Sequence, residues 1–361
     1  TAVEGCAHPE DRDGVKLHHE GAVEFEAETS GSGSGPGKAG GVFYNPAMTS
    51  ARDLHVALWR RLAPTGTTLD GLAASGVRGL RLMAEAEANV EFCDSSPAAA
   101  KAIRANLARN SLAAEVHESD LRKVLAGREF DALDIDPFGT PAPFIPVAVR
   151  AVADDGLIGV AATDTAVLCG AQPKACERRY GARPLSGVAA KEVGMRILLG
   201  AIAREAAGEG RTVTPLLCYT EGHHLRAWVR LSPGEPHMLR WLSHEMQLHD
   251  ANAPGLAGPL WAGALGDPAV LPNEQELPET VHRQRLVRLL TTLREELPGP
   301  PGLWDMNEMA RAADRGETPR RERIVVALQE RDWFASSSIF HPLGIRTDAP
   351  LDEQVAAVQS L

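Results

Sequence analysis

Lysine is scarce in this chain: only six of its 37 basic residues are lysine, so arginine carries most of the positive charge. Set against 48 acidic residues, this gives a formal net charge of -11. That excludes a generally basic nucleic-acid binder but leaves room for a local arginine patch. Acid excess with few lysines suits a high-salt cytoplasm, and GC-rich coding would produce the same arginine and alanine bias. Cysteine is sparse too. Cys6, Cys93, Cys169, Cys176 and Cys218 form neither a C-x-x-C pair nor a secreted disulfide pattern, so they point away from a metal site and read as small buried hydrophobes. There is no apolar run of membrane-spanning length and no signal-like start, which makes the cytoplasm the expected location. Also missing are a P-loop and a catalytic Ser/His/Asp arrangement.

What is present, in 361 residues at 44% hydrophobic, is core material for about two domains. Residues 1–30 are polar and alternate loosely around Ala22 to Glu26, which predicts a short hairpin outside the core. Residues 31–41, GSGSGPGKAGG, read as a flexible loop closing an N-terminal extension over 1–41. Two aromatics, Phe43 and Tyr44, precede an Asn-Pro turn, and 48–62 has helical spacing with Arg52 near its start. From there strands and helices alternate: strand 67–72, helix 77–88, strand 89–94, helix 97–110, strand 114–117, strand 130–135, helix 144–153 and strand 156–163. This period predicts an α/β fold with a doubly wound parallel sheet, whose ligands lie at the carboxyl ends of the strands. Asp70, Asp94, Asp120, Asp136 and Asp164 would then share one rim.

The turn after the first of these strands carries Gly71, Gly76 and Gly79, and places backbone N–H groups beside a ligand. Its spacing is not G-x-G-x-x-G, which disfavours a dinucleotide oxidoreductase. Asp94, eighteen residues after Gly76, can accept from ribose hydroxyls, and Asp120 can serve an adenine amine or simply cap a helix. S-adenosylmethionine needs only such a turn and such acids. Asp136-Pro137-Phe138 then provides a grip for a flat amine. If the carboxylate and the proline carbonyl each accept one N–H, the nitrogen lone pair can be aimed at a methyl group while Phe138 stacks on the ring. Most of the acceleration would come from orientation, and no metal is needed. The neighbouring Asp134 stays outside the catalytic set, and Asp164 is the rival acid. On this chemistry alone, adenine or cytosine in DNA and a protein glutamine amide remain possible acceptors, as does a tRNA-binding protein without turnover.

Several stretches together are far more specific: VFYNPAM, GLAASGVRGLR, DIDPFGTPAPF, ATDTAVLCG, 173–196, GPLWAGAL and FHPLGIRT. Over nearly its whole length the chain closely resembles the archaeal-type tRNA (guanine-N2) dimethyltransferases, which methylate guanine at tRNA position 26. The resemblance implies a Rossmann-like class I methyltransferase sheet with a smaller C-terminal α/β, winged-helix-like domain. It also implies S-adenosylmethionine as cofactor and tRNA as partner, with no obligatory protein partner evident. Arg52 and Arg78 would contact the methionine end of the cofactor, with Asp70 and Gly76 at the same turn. Asp94 would meet the ribose, and Asp120 with Leu121 the adenine. Phe43 and Phe138 would flank the guanine, and Asp136 with Pro137 would hold its amine. One departure is clear. Many members carry a four-cysteine zinc module between the domains, and residues 232–257 hold none of those cysteines; His237, His244 and His249 read as surface residues.

Downstream, Lys174, Arg178, Arg179 and Arg183 around Tyr180 suit a phosphate-facing loop. A helix over 191–207 and strands over 213–219 and 224–231 are expected to close the sheet, giving a methyltransferase domain over 1–231 and a tRNA-binding domain over 232–361. Helix 279–297 sets Arg283, Arg285, Arg288 and Arg294 around an apolar face. Residues 305–314, 320–330 and the strand-like 333–340 suggest a helix-turn-helix with a wing, its second helix opened by Arg320, Arg321 and Arg323.

Overall fold

The computed structural model describes residues 15–29, 42–235, 239–243, 245–249 and 257–361. The 31–41 loop, Cys6, His237 and His244 lie outside these residues. The chain opens with a hairpin, β1 (Val15–Glu20) against β2 (Val23–Thr29), to which β3 (Phe43–Tyr44) adds in parallel. The hairpin was expected outside the core, yet Val23, Phe25 and Ala27 on one side of β2 are fully buried. Asn106 explains this, because its side chain accepts from Glu26 N–H (2.8 Å) and donates to Glu26 C=O (3.2 Å), clamping the strand to a helix.

The main domain then alternates. Its elements are α1 (Thr49–Leu62), β4 (Thr67–Gly71), α2 (Val77–Ala86), β5 (Asn89–Asp94), α3 (Pro97–Arg109), β6 (Val116–Glu118), α4 (Leu121–Leu125) and β7 (Phe130–Ile135). There follow α5 (Ile145–Ala151), β8 (Val152–Ala162), α6 (Thr165–Leu168), α7 (Pro173–Tyr180), α8 (Ala190–Gly208), β9 (Arg211–Glu221) and β10 (His224–Pro233). The seven-stranded sheet runs β6-β5-β4-β7-β8-β10-β9, parallel from β6 to β8, with β10 antiparallel to both neighbours. Apolar layers cover both faces: Leu54, Leu80, Ile103 and Trp228 on one side, Leu133, Ile158, Val193 and Leu225 on the other. Burial on two faces explains the near-continuous apolar runs of β7 and β8. The strand expected from 156 begins at Val152 instead. Asp154 and Asp155, left between the expected helix and strand, sit with Gly156 in a bulge where the β7 register jumps from Phe130 to Ala132.

Beyond β10, β11 (Arg240–Leu242) pairs with β12 (Leu248–His249) and β13 (Ala257–Leu260), leaving His249 half-buried. Helix α9 (Arg283–Glu296) packs Leu286, Leu290 and Leu293 into the same core layer as Leu54 and Trp228. The end of the chain is β14 (Trp304–Asp305), α10 (Met306–Ala312), α11 (Arg321–Gln329), β15 (Ala335–Ser337), β16 (Gly344–Thr347) and α12 (Leu351–Gln359). Its sheet, β14-β16-β15, and its own core around Met309, Ile324 and Ile345 make a winged-helix unit. Buried Arg346 fastens it to the rest by binding Glu192 of α8 (2.9 Å) and Glu296 of α9 (2.7 Å). Among the described residues no helix is long and apolar enough to cross a membrane.

Candidate active site

The site forms where β4, β5 and β7 end. Between β4 and α2 the chain turns sharply, with Leu72, Ala74 and Gly76 all at positive φ. Gly76 suits this backbone best, since L side chains are strained there. Gly79 is required for a second reason: a Cβ would lie 2.4 Å from the Phe92 ring. Asp94 closes the turn. Its Oδ2 accepts from Ala74 N–H and its Oδ1 from Ser96 N–H, both at 2.9 Å, which leaves each oxygen a second lone pair for a hydroxyl. Asp120 caps α4 by accepting from Arg122 N–H (2.9 Å), and the Arg122 guanidinium beside it lowers its carboxyl to about 2. Leu121 is buried next to it.

Asp70 does not reach the rim. It pairs across the sheet with Asp134, is fully buried, and accepts from Gly79 N–H at 2.9 Å. Its role in this structure is to hold the turn. Burial, followed by the nearby Asp134 charge, pushes its carboxyl up to about 7. Asp164, the rival acid, is also occupied, with both oxygens accepting from Tyr180 OH (2.9 and 3.0 Å) and one facing Arg179 at 3.2 Å.

At the end of β7, Asp136 is half-buried, Pro137 is buried and Phe138 is 56% exposed. Phe43 meets Phe138 edge to face, ring centres 4.8 Å apart at 89°. These two aromatics, ninety-five positions apart in sequence, thus form one apolar mouth beside the carboxylate. Arg52 was expected at the cofactor. Its Nε and Nη2 bind Glu20, each at 2.6 Å, and Nη2 also donates to Asn45 C=O at 3.1 Å, fixing the segment that carries Phe43.

Arg78 lies behind the mouth and bridges two acids: Nε contacts Asp134 Oδ2 at 2.8 Å, and Nη2 contacts Asp136 Oδ2. Arg226 holds the other oxygen of Asp134 and stacks on Trp228, 4.3 Å from the ring centre. His224 Nε2 lies 3.9 Å from Asp136 Oδ1. Burial alone would raise the Asp136 carboxyl, but Arg78, then His224 and Arg226, reverse this and hold it below the ordinary value. It is therefore an ionised acceptor. Sequence reasoning missed Asp134, His224 and Arg226 as parts of the site. The available signal was in β10, where His224, Arg226 and Trp228 occupy one face of an otherwise apolar strand.

A cleft of about 210 Å³ opens beside this rim, between Ser50, the β9–β10 hairpin, α9 and the start of α11. Arg285, Arg288 and Arg321 line it. Arg285 pairs with Glu221 at 2.5 Å, whereas Arg288 has no ion-pair partner among the described residues. The hairpin register, Thr220 opposite Leu225 and Leu225 opposite Ala162, puts the cleft at the same end of the sheet as Asp136.

The family model described as "N2,N2-dimethylguanosine tRNA methyltransferase" matches residues 22–246 and 238–359. Among curated relatives, the tRNA (guanine(26)-N(2))-dimethyltransferase of Methanosphaerula palustris is 36% identical over 90% of this chain and 93% of its own. That of Pyrobaculum aerophilum is 34% identical over 94% and 95%. Among solved structures, Trm1 from Pyrococcus horikoshii in complex with S-adenosyl-L-methionine superposes with a TM-score of 0.83 at 30% identity, covering 95% of this chain and 99% of that one.

Proposed function

Because the chain belongs to the N2,N2-dimethylguanosine tRNA methyltransferase family, we propose that it transfers one or two methyl groups from S-adenosylmethionine to the exocyclic N2 of guanine 26 in tRNA. The residues fit that cofactor. The left-handed turn at Leu72 to Gly76 and the spare lone pairs of Asp94 offer the backbone donors and carboxylate acceptors that a methionine end and a ribose require. In this reading Gly76, Arg52 and Arg78 serve the methionine end, with Asp70 bracing the turn from below. Asp94 takes the ribose, and Asp120 with Leu121 borders the adenine. When bound, the cofactor supplies a methyl group on a positively charged sulfur, whose C–S bonding pair returns to sulfur on transfer.

The protein's own work is at the amine. Asp136, kept ionised by Arg78, accepts one N–H of the guanine amine, and the Pro137 carbonyl accepts the other. The nitrogen lone pair is thereby drawn out of conjugation and aimed. Phe138, with an exposed face beside Phe43, supplies a stacking platform of roughly 1–3 kcal/mol. One observation carries the reading: an ionised carboxylate, a proline and a solvent-facing ring stand in sequence at the end of the central strand. We assign residues 1–231 to catalysis and 232–361 to tRNA binding, with Arg285, Arg288 and Arg321 meeting phosphates in the cleft, and place the enzyme in the cytoplasm. The test is transfer of labelled methyl from S-adenosylmethionine to a tRNA transcript, followed by nucleoside analysis. Label in N2-methylguanosine and N2,N2-dimethylguanosine is expected; label in another nucleoside would reject the acceptor.

A further inference from the structure

An amine that gains a methyl group stays positively charged until it sheds an N–H proton, and each added methyl repeats the problem. Asp136 is a poor resting place for that proton, since the arginines around it favour its ionised form. Next to it stands His224. Its side chain is 6% exposed, and among the described residues neither ring nitrogen has a hydrogen-bond partner. Buried polar atoms are nearly always paired, so two bare nitrogens on one ring call for a reason. A histidine kept for structure alone would donate to a carbonyl or carboxylate; this one faces Asp136 Oδ1 from 3.9 Å. The charged groups around it are Asp136 from β7, Arg226 on its own strand and Arg78 from α2, while Tyr219 of β9 faces Asp136 and the same two arginines. Burial, helped by Arg226 and Arg78 and opposed by Asp136, pulls the imidazole down to about 4. At neutral pH it is uncharged, with a lone pair open.

Resting on the function above, we propose that His224 relays the proton released by the methylated amine. The nitrogen lone pair becomes the new N–C bond. An N–H proton then passes to Asp136 Oδ1 and on to His224 Nε2, the N–H bonding pair returning to nitrogen. The imidazole becomes imidazolium until the proton reaches solvent. The 3.9 Å gap is about 1 Å longer than a hydrogen bond, within reach of a ring rotation or one water. His224 acts through Asp136, so it is a positioning residue and does not contact the base.

The experiment is single-turnover methyl transfer at saturating S-adenosylmethionine and tRNA with His224→Gln, Asp136→Asn and the double variant. His224→Gln should slow transfer about 100-fold, the low end for acid–base assistance, with the affinity for both substrates unchanged. The double variant should be no slower than Asp136→Asn, because both residues lie on one proton path. In His224→Gly, added imidazoles should restore activity in step with their basicity. A wild-type rate for His224→Gln, multiplying losses in the double variant, or rescue indifferent to basicity would each overturn the relay. Should the His224 variants not fold, ring titration by NMR decides: removing the charge in Asp136→Asn must lower the His224 midpoint, and an unmoved midpoint refutes the coupling. Absence of any transfer by the wild-type protein would instead defeat the function on which the relay rests.

Discussion

Glu20 and Asp136 are both carboxylates set against arginines, but their surroundings differ in one respect. Every oxygen of Glu20 is saturated: Oε1 accepts from Arg52 (2.6 Å) and Arg81 (2.9 Å), and Oε2 from Arg52 (2.6 Å), Tyr44 (2.9 Å) and Thr49 (3.0 Å). Arg81 continues to Asp53 and Glu85, closing a buried knot between the hairpin, α1 and α2. Around Asp136 the bonding is incomplete. Among the described residues His224 has two bare nitrogens and Arg226 Nη1 and His55 Nε2 lack partners, and the Asp136 side chain is 27% exposed. A saturated cluster holds elements together, whereas an unsaturated one keeps capacity for a substrate. Arg52 joins the two clusters, serving the first while fixing the segment that brings Phe43 to the second.

If this contrast is right, its strongest consequence is catalytic. Asp136→Asn should reduce methyl transfer about 1000-fold, by losing the ionised acceptor, while binding of S-adenosylmethionine measured by calorimetry survives. Asp164→Asn, whose carboxylate is already committed to Tyr180 and Arg179, should cost less than about 10-fold. Equal losses would erase the distinction between the two rim acids.

The saturated cluster makes a stability prediction. Glu20→Gln strands two buried arginines and should cost about 3 kcal/mol in chemical denaturation. The sign with pH follows from the Glu20 carboxyl, which burial raises but Arg52 and Arg81 bring down to about 2 from an ordinary 4.5. Its contribution is complete above about 4.5 and disappears as pH falls towards 2, so the gap between wild type and variant should close on acidification. A gap that widened would mean that Glu20 is not ionised in the fold.

The parts of the candidate site proposed from sequence have local signals. The strand–turn–helix period set the rim, and Asp136-Pro137-Phe138 is contiguous. What escaped depends on pairing between distant strands. Asp70 looked like a rim acid because it precedes a glycine turn, but its register opposite Asp134 buries it one layer lower. The pairing of Arg52 with Glu20 escaped because Glu20 lies in a hairpin expected outside the core. His224 and Arg226 reach Asp136 and Asp134 because β10 turns back beside β8, a register that the expected sheet-closing strand 224–231 does not specify. The winged-helix unit was visible as helices and a basic start, while its attachment through Arg346 to Glu192 and Glu296 spans too many residues to be inferred.

The smallest predicted effect sharpens the contrast from a third arginine environment. Arg288 in the cleft is unpaired among the described residues, unlike Arg52, Arg78 and Arg81. Arg288→Ala should leave stability within about 0.5 kcal/mol, weaken tRNA binding about 3- to 10-fold and reduce the salt slope of binding by about one. A loss of stability without a change in salt slope would make it a structural residue.

The most direct measurement compares methyl transfer to a tRNA transcript with transfer to the same transcript carrying adenine at position 26. Labelling of the first and near-complete loss in the second is the predicted result; equal labelling of both would contradict the assignment of guanine 26 as the base held by Asp136 and Phe138.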